Sequence, residues 1–312
     1  VDKLTPTQMD GYLNILKPSG MTSHDVVAVV RKLIGVRKVG HAGTLDPDAA
    51  GVLPLCIGKG TRMAEYMQVA SKAYRGEMMI GCETDTQDAS GEVIQRSSPD
   101  ESRSAATFEA VQSAMVHFTG SQMQIPPMVS ALKINGERLY TLARAGIEVK
   151  RLPRPIEIFH LELINYRIGA DGYPIVMFDV ECSKGTYIRT LASDLGTFMK
   201  VGAHLSYLLR TRSGPFALEN ASTLEELQNA VTVNRIHELI YPVDYPLFHL
   251  RKVQLERDDA ERIRHGRAVS TEHDDQEDPE TVRLYDQDGN FLAIGHKTAD
   301  MIRPTKVITG DN

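Results

Sequence analysis

A chain of 312 residues that is 42% hydrophobic can bury the core of one large domain with a small one attached. Its net charge of -6 excludes a globally basic nucleic-acid or membrane binder, so any polyanion partner has to be met by local basic surface. No apolar run reaches the length of a membrane span. The three cysteines, Cys56, Cys82 and Cys182, lack metal-ligand spacing and a secretory segment, which predicts buried reduced thiols and a cytoplasmic location.

In chain order, Gly11 to Leu16 reads as a strand, and Lys17-Pro18-Ser19-Gly20 as a turn with a lysine at its mouth. Thr22 and Asp25 fit a capping box ahead of Val26, Val27, Val29, Val30 and Leu33, so a helix is predicted to about Ile34, ended by Gly35. Val39 to Arg62 is the densest stretch of chemistry. Pro47 biases Asp46 towards an extended conformation, and the apolar run Val52 to Ile57 pins the loop to a sheet. On the residues alone, an Asp before Pro is a turn initiator, and His41 is a surface or satisfied histidine. Lys59 in Gly58-Lys59-Gly60-Thr61 lacks the Walker spacing, which removes a nucleotide-binding loop.

Ser71 to Arg75 leads into a strand predicted over Glu77 to Cys82, and Asp85 to Gly91 reads as a turn because its acidic spacing does not fit a calcium loop. Phe108, Val111, Met115 and Phe118 recur at helical intervals. Ser121 to Arg154 changes character: its stretch from Lys133 carries six basic residues against Glu137 and Glu148, and a short helix is predicted from Arg138 to Ala145. A basic arm and a solvated hairpin fit this stretch equally well. Ile175 to Cys182 alternates as a half-buried strand, and Ile188 to Met199 traces an apolar helix face that leaves Tyr187 and Arg189 at its first turn. Tyr241 to Pro246 is predicted as a linker, Glu272 to Glu280 as a disordered acidic loop, and Val282 to Gly295 as a hairpin in a small β-rich domain.

Gly40-His41-Ala42-Gly43-Thr44-Leu45-Asp46-Pro47 resembles the TruB family of tRNA pseudouridine synthases. Lys17 to Ser23, Lys72-Ala73-Tyr74, Ile125 to Lys133, Cys182 to Leu191 and Leu208 to Phe216 extend the resemblance over nearly the whole chain, and its C-terminal segment resembles a PUA RNA-binding domain. The implied fold is α+β: a mixed, largely antiparallel sheet flanked by helices. The implied domains are a catalytic one over residues 1–246, with a thumb-like insertion at about 121–154, and a PUA-like one over 247–312. Leu16 departs from the family, where many relatives carry an acidic residue before Lys-Pro.

The implied activity is isomerisation of uridine 55 in the tRNA T loop, without guide RNA, metal, cofactor, membrane or obligate protein partner, by a monomer. Breaking the bond from uracil N1 to ribose C1′ develops positive charge on the sugar, which an ionised carboxylate can attack or stabilise. The resemblance matches Asp46 to that carboxylate, Arg189 to the cation that keeps it charged, and Tyr74 to a residue stacking on the base. Tyr187 and Leu208 match pocket walls, and His41 matches the residue that opens the folded loop. Lys17, Lys59, Arg62, Lys133, Arg138 and Arg144 are candidates for phosphate contacts. Two other classes compete: an RNA-folding protein without catalysis, which the full set of Asp46, Tyr74 and Arg189 disfavours, and a glycosidase, which has no use for the arm and tail.

Overall fold

Strand alternation decides the middle of the molecule. In the computed structural model, which describes residues 9–68, 70–130, 132–134, 136–270 and 279–308, Pro174–Cys182 buries Val176, Phe178, Val180 and Cys182 and leaves Asp179 and Glu181 half-exposed. The side chains of residues 68, 133, 134, 138, 140 and 144 also lie outside the described set. This strand pairs antiparallel with Lys72–Ile80, which pairs in turn with Ala203–Ser213. The sheet then runs outward through Ala50–Ile57 and Gly11–Lys17 on one side, and through Arg154–Ile168 and Gly120–Gln124 on the other. Only the contact between Ala203–Ser213 and Ala50–Ile57 is parallel among these strands, so the sheet is mixed and largely antiparallel, as expected.

The first helix, Ser23–Ile34, carries the predicted Thr22 and Asp25 capping box and ends at Gly35, whose φ of 70° is left-handed and suits glycine. It lays Val26, Val27, Val30 and Ile34 against Leu13, Ile15, Leu53 and Leu55. The Ile188–Phe198 helix packs Leu191, Ala192 and Leu195 against Met78, Phe178, Val180 and Leu205. All three cysteines are buried and free, and burial pushes the Cys56 thiol up to about 12 and that of Cys182 to about 11. No described helix is long and apolar enough to cross a membrane.

Three expectations change. The strand predicted from Glu77 begins at Lys72, so Tyr74 lies inside the sheet rather than in a segment leading into it. The predicted linker is packed: Ile240–Tyr241 pairs with Gly11–Lys17, and Tyr245–Leu247 forms a helical turn with Leu247 buried. Its prolines follow an edge strand, where no ladder hydrogen bond is lost. Both ends of the 121–154 stretch belong to the sheet, with Gln124 opposite Arg154. Between them stand a two-residue hairpin and the Leu139–Arg144 helix, one residue shorter at each end than predicted.

The predicted hairpin, Glu280–Tyr285 with Phe291–Lys297, is the centre of a second sheet of five strands. Residues 271–278, most of the acidic tract, lie outside the described residues. The two sheets share one apolar cluster, in which Ile294, Ile308 and Leu247 meet Tyr12, Met63, Met67 and Phe216. Ile294 is fully buried there. Replacing it, Ile294→Ala, is expected to cost about 2–5 kcal/mol in urea unfolding followed by far-UV circular dichroism. A loss below about 1 kcal/mol would show that the cluster collapses around the gap instead of depending on that side chain.

Candidate active site

Asp46 lies on a loop between two strands, Val39–His41 and Ala50–Ile57, and buried cations hold that loop by its carbonyls. Arg210 is 1% exposed, and its guanidinium donates to Val52 O at 2.7 Å, Thr44 O at 3.2 Å and Gly43 O at 3.2 Å. Gly51 takes a φ of 114° against this strand, where a Cβ would come within 2.2 Å of Arg210 O, so only glycine fits. At the other end Lys17 Nζ donates to Pro18 O at 2.9 Å, Met21 O at 2.5 Å and Pro47 O at 2.8 Å. Lys17 is therefore no phosphate contact. It is fully buried, all three ammonium protons are taken by the backbone, and burial lowers its pKa to about 8.

Arg189 enters from the first turn of the Ile188–Phe198 helix. Its Nε stands 2.9 Å from Asp46 Oδ2, and its remaining N–H groups serve Thr86 O at 3.1 Å, Val129 O at 2.9 Å and Asp88 Oδ2 at 3.4 Å. The side chain of Arg189 is 5% exposed and that of Asp46 is 44% exposed. A carboxylate that faces solvent is thus backed by a buried cation held by three further partners. The turn predicted at Asp85 to Gly91 is present, and it carries more than a reversal of direction. Gln87 adopts a left-handed φ of 65°, and Asp88 accepts from Thr86 Oγ1, Ser90 N and Ser90 Oγ, which aims its other oxygen at Arg189.

A cavity of about 280 Å³ adjoins Asp46 and is walled by Tyr74, Tyr187, Leu208, Arg189 and Arg210. Tyr74 is 8% exposed, and burial pushes its phenol up to about 12 against the opposing pull of Arg210. Burial raises Tyr187 as well. Lys72, on the same wall, is lowered to about 8 by burial and by the charge of Arg210, and its Nζ donates to Ala70 O at 2.8 Å. A second cavity of about 340 Å³ opens on the other side of Asp46, lined by Asp88, Arg189 and Tyr207. His41 sits just before the loop, half-buried, with Nδ1 buried and unbonded among the described residues; burial lowers its pKa, with Arg210 and His24 adding to the effect.

The structure thus brings Asp46, Tyr74, Tyr187, Arg189 and Leu208 around one cavity. It sets Lys59 and Arg62 elsewhere: Lys59 pairs with Asp10 at 3.9 Å, and Arg62 donates to Val307 O at 3.3 Å, on a helical turn under the second sheet. The side chains of Lys133, Arg138 and Arg144 lie outside the described residues. Sequence reasoning missed Arg210, Asp88 and Lys72. Lys72 and Arg210 stood inside recognised motifs, but nothing in their spacing tells a buried cation from an exposed one. No described cluster of His, Cys, Asp and Glu is arranged to hold a metal ion. What the site offers is a half-exposed carboxylate oxygen, backed by a guanidinium, on the rim of a cavity with tyrosine rings in its wall, an arrangement suited to attack on an electron-poor centre.

Three family models match: TruB family pseudouridylate synthase, N-terminal domain, over residues 31–188; tRNA pseudouridylate synthase B, C-terminal domain, over 189–247; and pseudouridine synthase II TruB, C-terminal, over 252–308. A tRNA pseudouridine synthase B from Symbiobacterium thermophilum is 57% identical over 221 residues, 71% of this chain and 72% of its own. One from Halalkalibacterium halodurans is 40% identical over 306 residues, 97% of this chain and 99% of its own. Among solved structures, a chain of an H/ACA RNP bound to a substrate RNA containing 2′-deoxyuridine superposes with a TM-score of 0.72 at 25% identity, covering 96% of this chain and 85% of that one. A chain of a Cbf5-Nop10-Gar1 complex gives 0.72 at 27% identity, with the same coverage. With its family models placed in order and a relative at 40% identity matched along nearly its whole length, the chain belongs to the TruB family of pseudouridylate synthases.

Proposed function

We propose that the protein isomerises uridine 55 in the T loop of tRNA to pseudouridine, as a monomer without guide RNA, metal or cofactor. The observation that carries this reading is the 2.9 Å contact of Arg189 Nε with a half-exposed Asp46, on the rim of a cavity walled by Tyr74. Residues 1–246 form the catalytic unit in this reading and residues 247–312 the RNA-binding one, with the 121–154 stretch as a thumb over the T stem-loop. The Halalkalibacterium halodurans relative, named for tRNA, matches at 40% identity over 99% of its length, which favours tRNA as the substrate here.

In the reaction, the N1–C1′ bond breaks with its electron pair leaving on the uracil ring, which turns while stacked on Tyr74. C5 then bonds to C1′, and the C5 proton is lost to a base or water while N1 takes one up. The Asp46 oxygen either bonds C1′ until C5 displaces it or removes the ribose 2′ proton and returns it as C5 bonds to C1′, and both routes need it ionised. Tyr74, with its phenol at about 12, stays protonated through the working range and acts first as a surface for the base. Removing the C5 proton afterwards requires its phenol to hand a proton to solvent or a neighbour as it takes one. His41, neutral at pH 7 because burial lowers its pKa, is suited to filling the space of the extruded nucleotide.

Tritium release from a T stem-loop labelled at uridine C5 tests the reading with the chain alone, in chelator. Release is expected from the unaltered protein, and its absence would sink the proposal. Asp46→Asn is expected to lose about 10⁴-fold or more in rate, as removal of a reacting nucleophile does. Full release by that variant would move the chemistry to another residue.

The depressed pKa of His41 makes a separate prediction. Its midpoint lies below the ordinary value of 6.5, so the His41-dependent part of stem-loop affinity, the difference from His41→Asn at constant ionic strength, is expected to stay level from pH 8 down to about 6.5. Any change that His41→Asn removes belongs below that range. A His41-dependent step above it would show that the imidazole binds RNA as a cation.

A further inference from the structure

The two charged groups at the centre of the site are held by the same device on either side. Ser23, 3% exposed, uses its single hydroxyl twice: Oγ accepts from Leu45 N at 2.9 Å and donates to Leu45 O at 3.0 Å. Gln124, also 3% exposed, does this with its carboxamide: Oε1 accepts from Tyr187 N at 2.8 Å and Nε2 donates to Tyr187 O at 3.0 Å. Leu45 immediately precedes Asp46. Tyr187 is the N-cap residue of the helix that opens with Ile188 and Arg189, and its own side chain makes no cap hydrogen bond.

An ordinary helix start is capped locally by Ser, Thr, Asp or Asn at that position. Here the anchor comes from the end of an edge strand, 63 residues away in sequence, which fixes the helix start relative to the sheet and not merely to itself. Ser23 plays the matching part from the first turn of the Ser23–Ile34 helix, 22 residues from Leu45. Neither side chain lines the two cavities beside Asp46, so neither touches the reacting groups. Each leaves its partner's N–H and C=O paired inside the protein, where a looser loop would exchange them with water.

Building on the function proposed above, we propose that Ser23 and Gln124 are positioning residues that jointly set the Asp46 Oδ2 to Arg189 Nε geometry, and so act on the chemical step rather than on RNA affinity. Ser23→Ala and Gln124→Leu are each expected to lower the single-turnover rate about 10- to 100-fold, the effect of misplacing a reacting group by about an ångström. The Kd for the stem-loop is expected to hold within about 2-fold, because loss of uniform binding is not involved. The double variant should lose less than the product of the two, since both changes relax one ion pair and coupled sites are not additive. Gln124→Glu keeps the acceptor for Tyr187 N–H and loses the donor, so it should fall between the native chain and Gln124→Leu.

Geometry is read without turnover from the Arg189 Nε–H resonance of protein labelled with 15N-arginine. That proton should exchange slowly in the unaltered chain and faster in each variant. Thr107→Ala serves as the stability control, because it removes the cap of a helix that lines neither cavity; it should lower Tm and leave both rate and resonance alone. Unchanged rates, a rate loss matched by a loss of affinity, full multiplicativity of the two changes, or an Arg189 signal indifferent to both would each overturn the proposal. Should the unaltered protein release no tritium, the functional reading fails by itself, and the resonance still decides whether the two side chains hold the pair.

Discussion

The guanidinium of Arg210 is the constraint on which the site depends. A cation 1% exposed carries a large desolvation penalty, and here three backbone carbonyls of the Gly43 to Val52 loop offset it. The same three contacts tie the loop to the Ala203–Ser213 strand, so loop and arginine support each other. The choice of arginine follows from magnitudes. Burial brings Lys17 and Lys72, in the same region, down to about 8, close to losing their charge. Burial lowers Arg210 too, but a guanidinium starts so high that it stays protonated. Its planar fork also reaches three acceptors at set angles, which an ammonium on a flexible stem does less well.

With the loop so fixed, the pair of Asp46 and Arg189 need not hold itself together. Ion pairs open to water contribute only about 0–1 kcal/mol to folding, and the Asp46 side chain is 44% exposed. The attraction is too weak to draw a loop and a helix into register. Arg189, by contrast, spends its other donors on Thr86, Asp88 and Val129, and both flanking peptides are clamped from elsewhere. The carboxylate therefore meets its ligand with its geometry already set, so little reorganisation is left for the reaction.

How much of this was legible in sequence divides along the range of the interaction. The Ser23–Ile34 helix announces itself because its cap, periodic valines and terminal glycine are all local. The Pro174–Cys182 strand does so through alternation, and the C-terminal hairpin through its glycine turn. Two further helices, Pro99–Ala105 and Leu224–Thr232, carry the same capping-box pattern at Ser98 and Glu101 and at Thr223 and Glu226, and could have been read. Lys17 could not. A lysine before Pro-Ser-Gly looks like a solvent-facing turn residue, and only the approach of Pro47 and Met21 turns it inward. The start of the Lys72–Ile80 strand was hidden for a related reason: Lys72 and Arg75 look like loop residues until neighbours on both sides engage them. Asp46, Tyr74 and Arg189 were nameable through family resemblance, whereas their supports are tertiary contacts that no spacing encodes.

The arm is where these levels meet. It leaves the sheet at Gln124 and returns at Arg154, and those two residues face each other across the strand pair. Arg151 donates to Pro126 O at 3.1 Å and closes the base further. Gln124 is at once the last sheet residue before the arm and the clamp on Tyr187, while Val129, a few residues into the arm, supplies a carbonyl to Arg189. In the function proposed above the arm grips RNA through its outer part, and its root touches Arg189. On that reading, strain from a bound stem-loop reaches the ion pair through the Gln124 side chain and the Val129 carbonyl, so a mis-seated arm withdraws an acceptor from Arg189. The same contacts that keep the site rigid make its chemistry answerable to how the arm is seated.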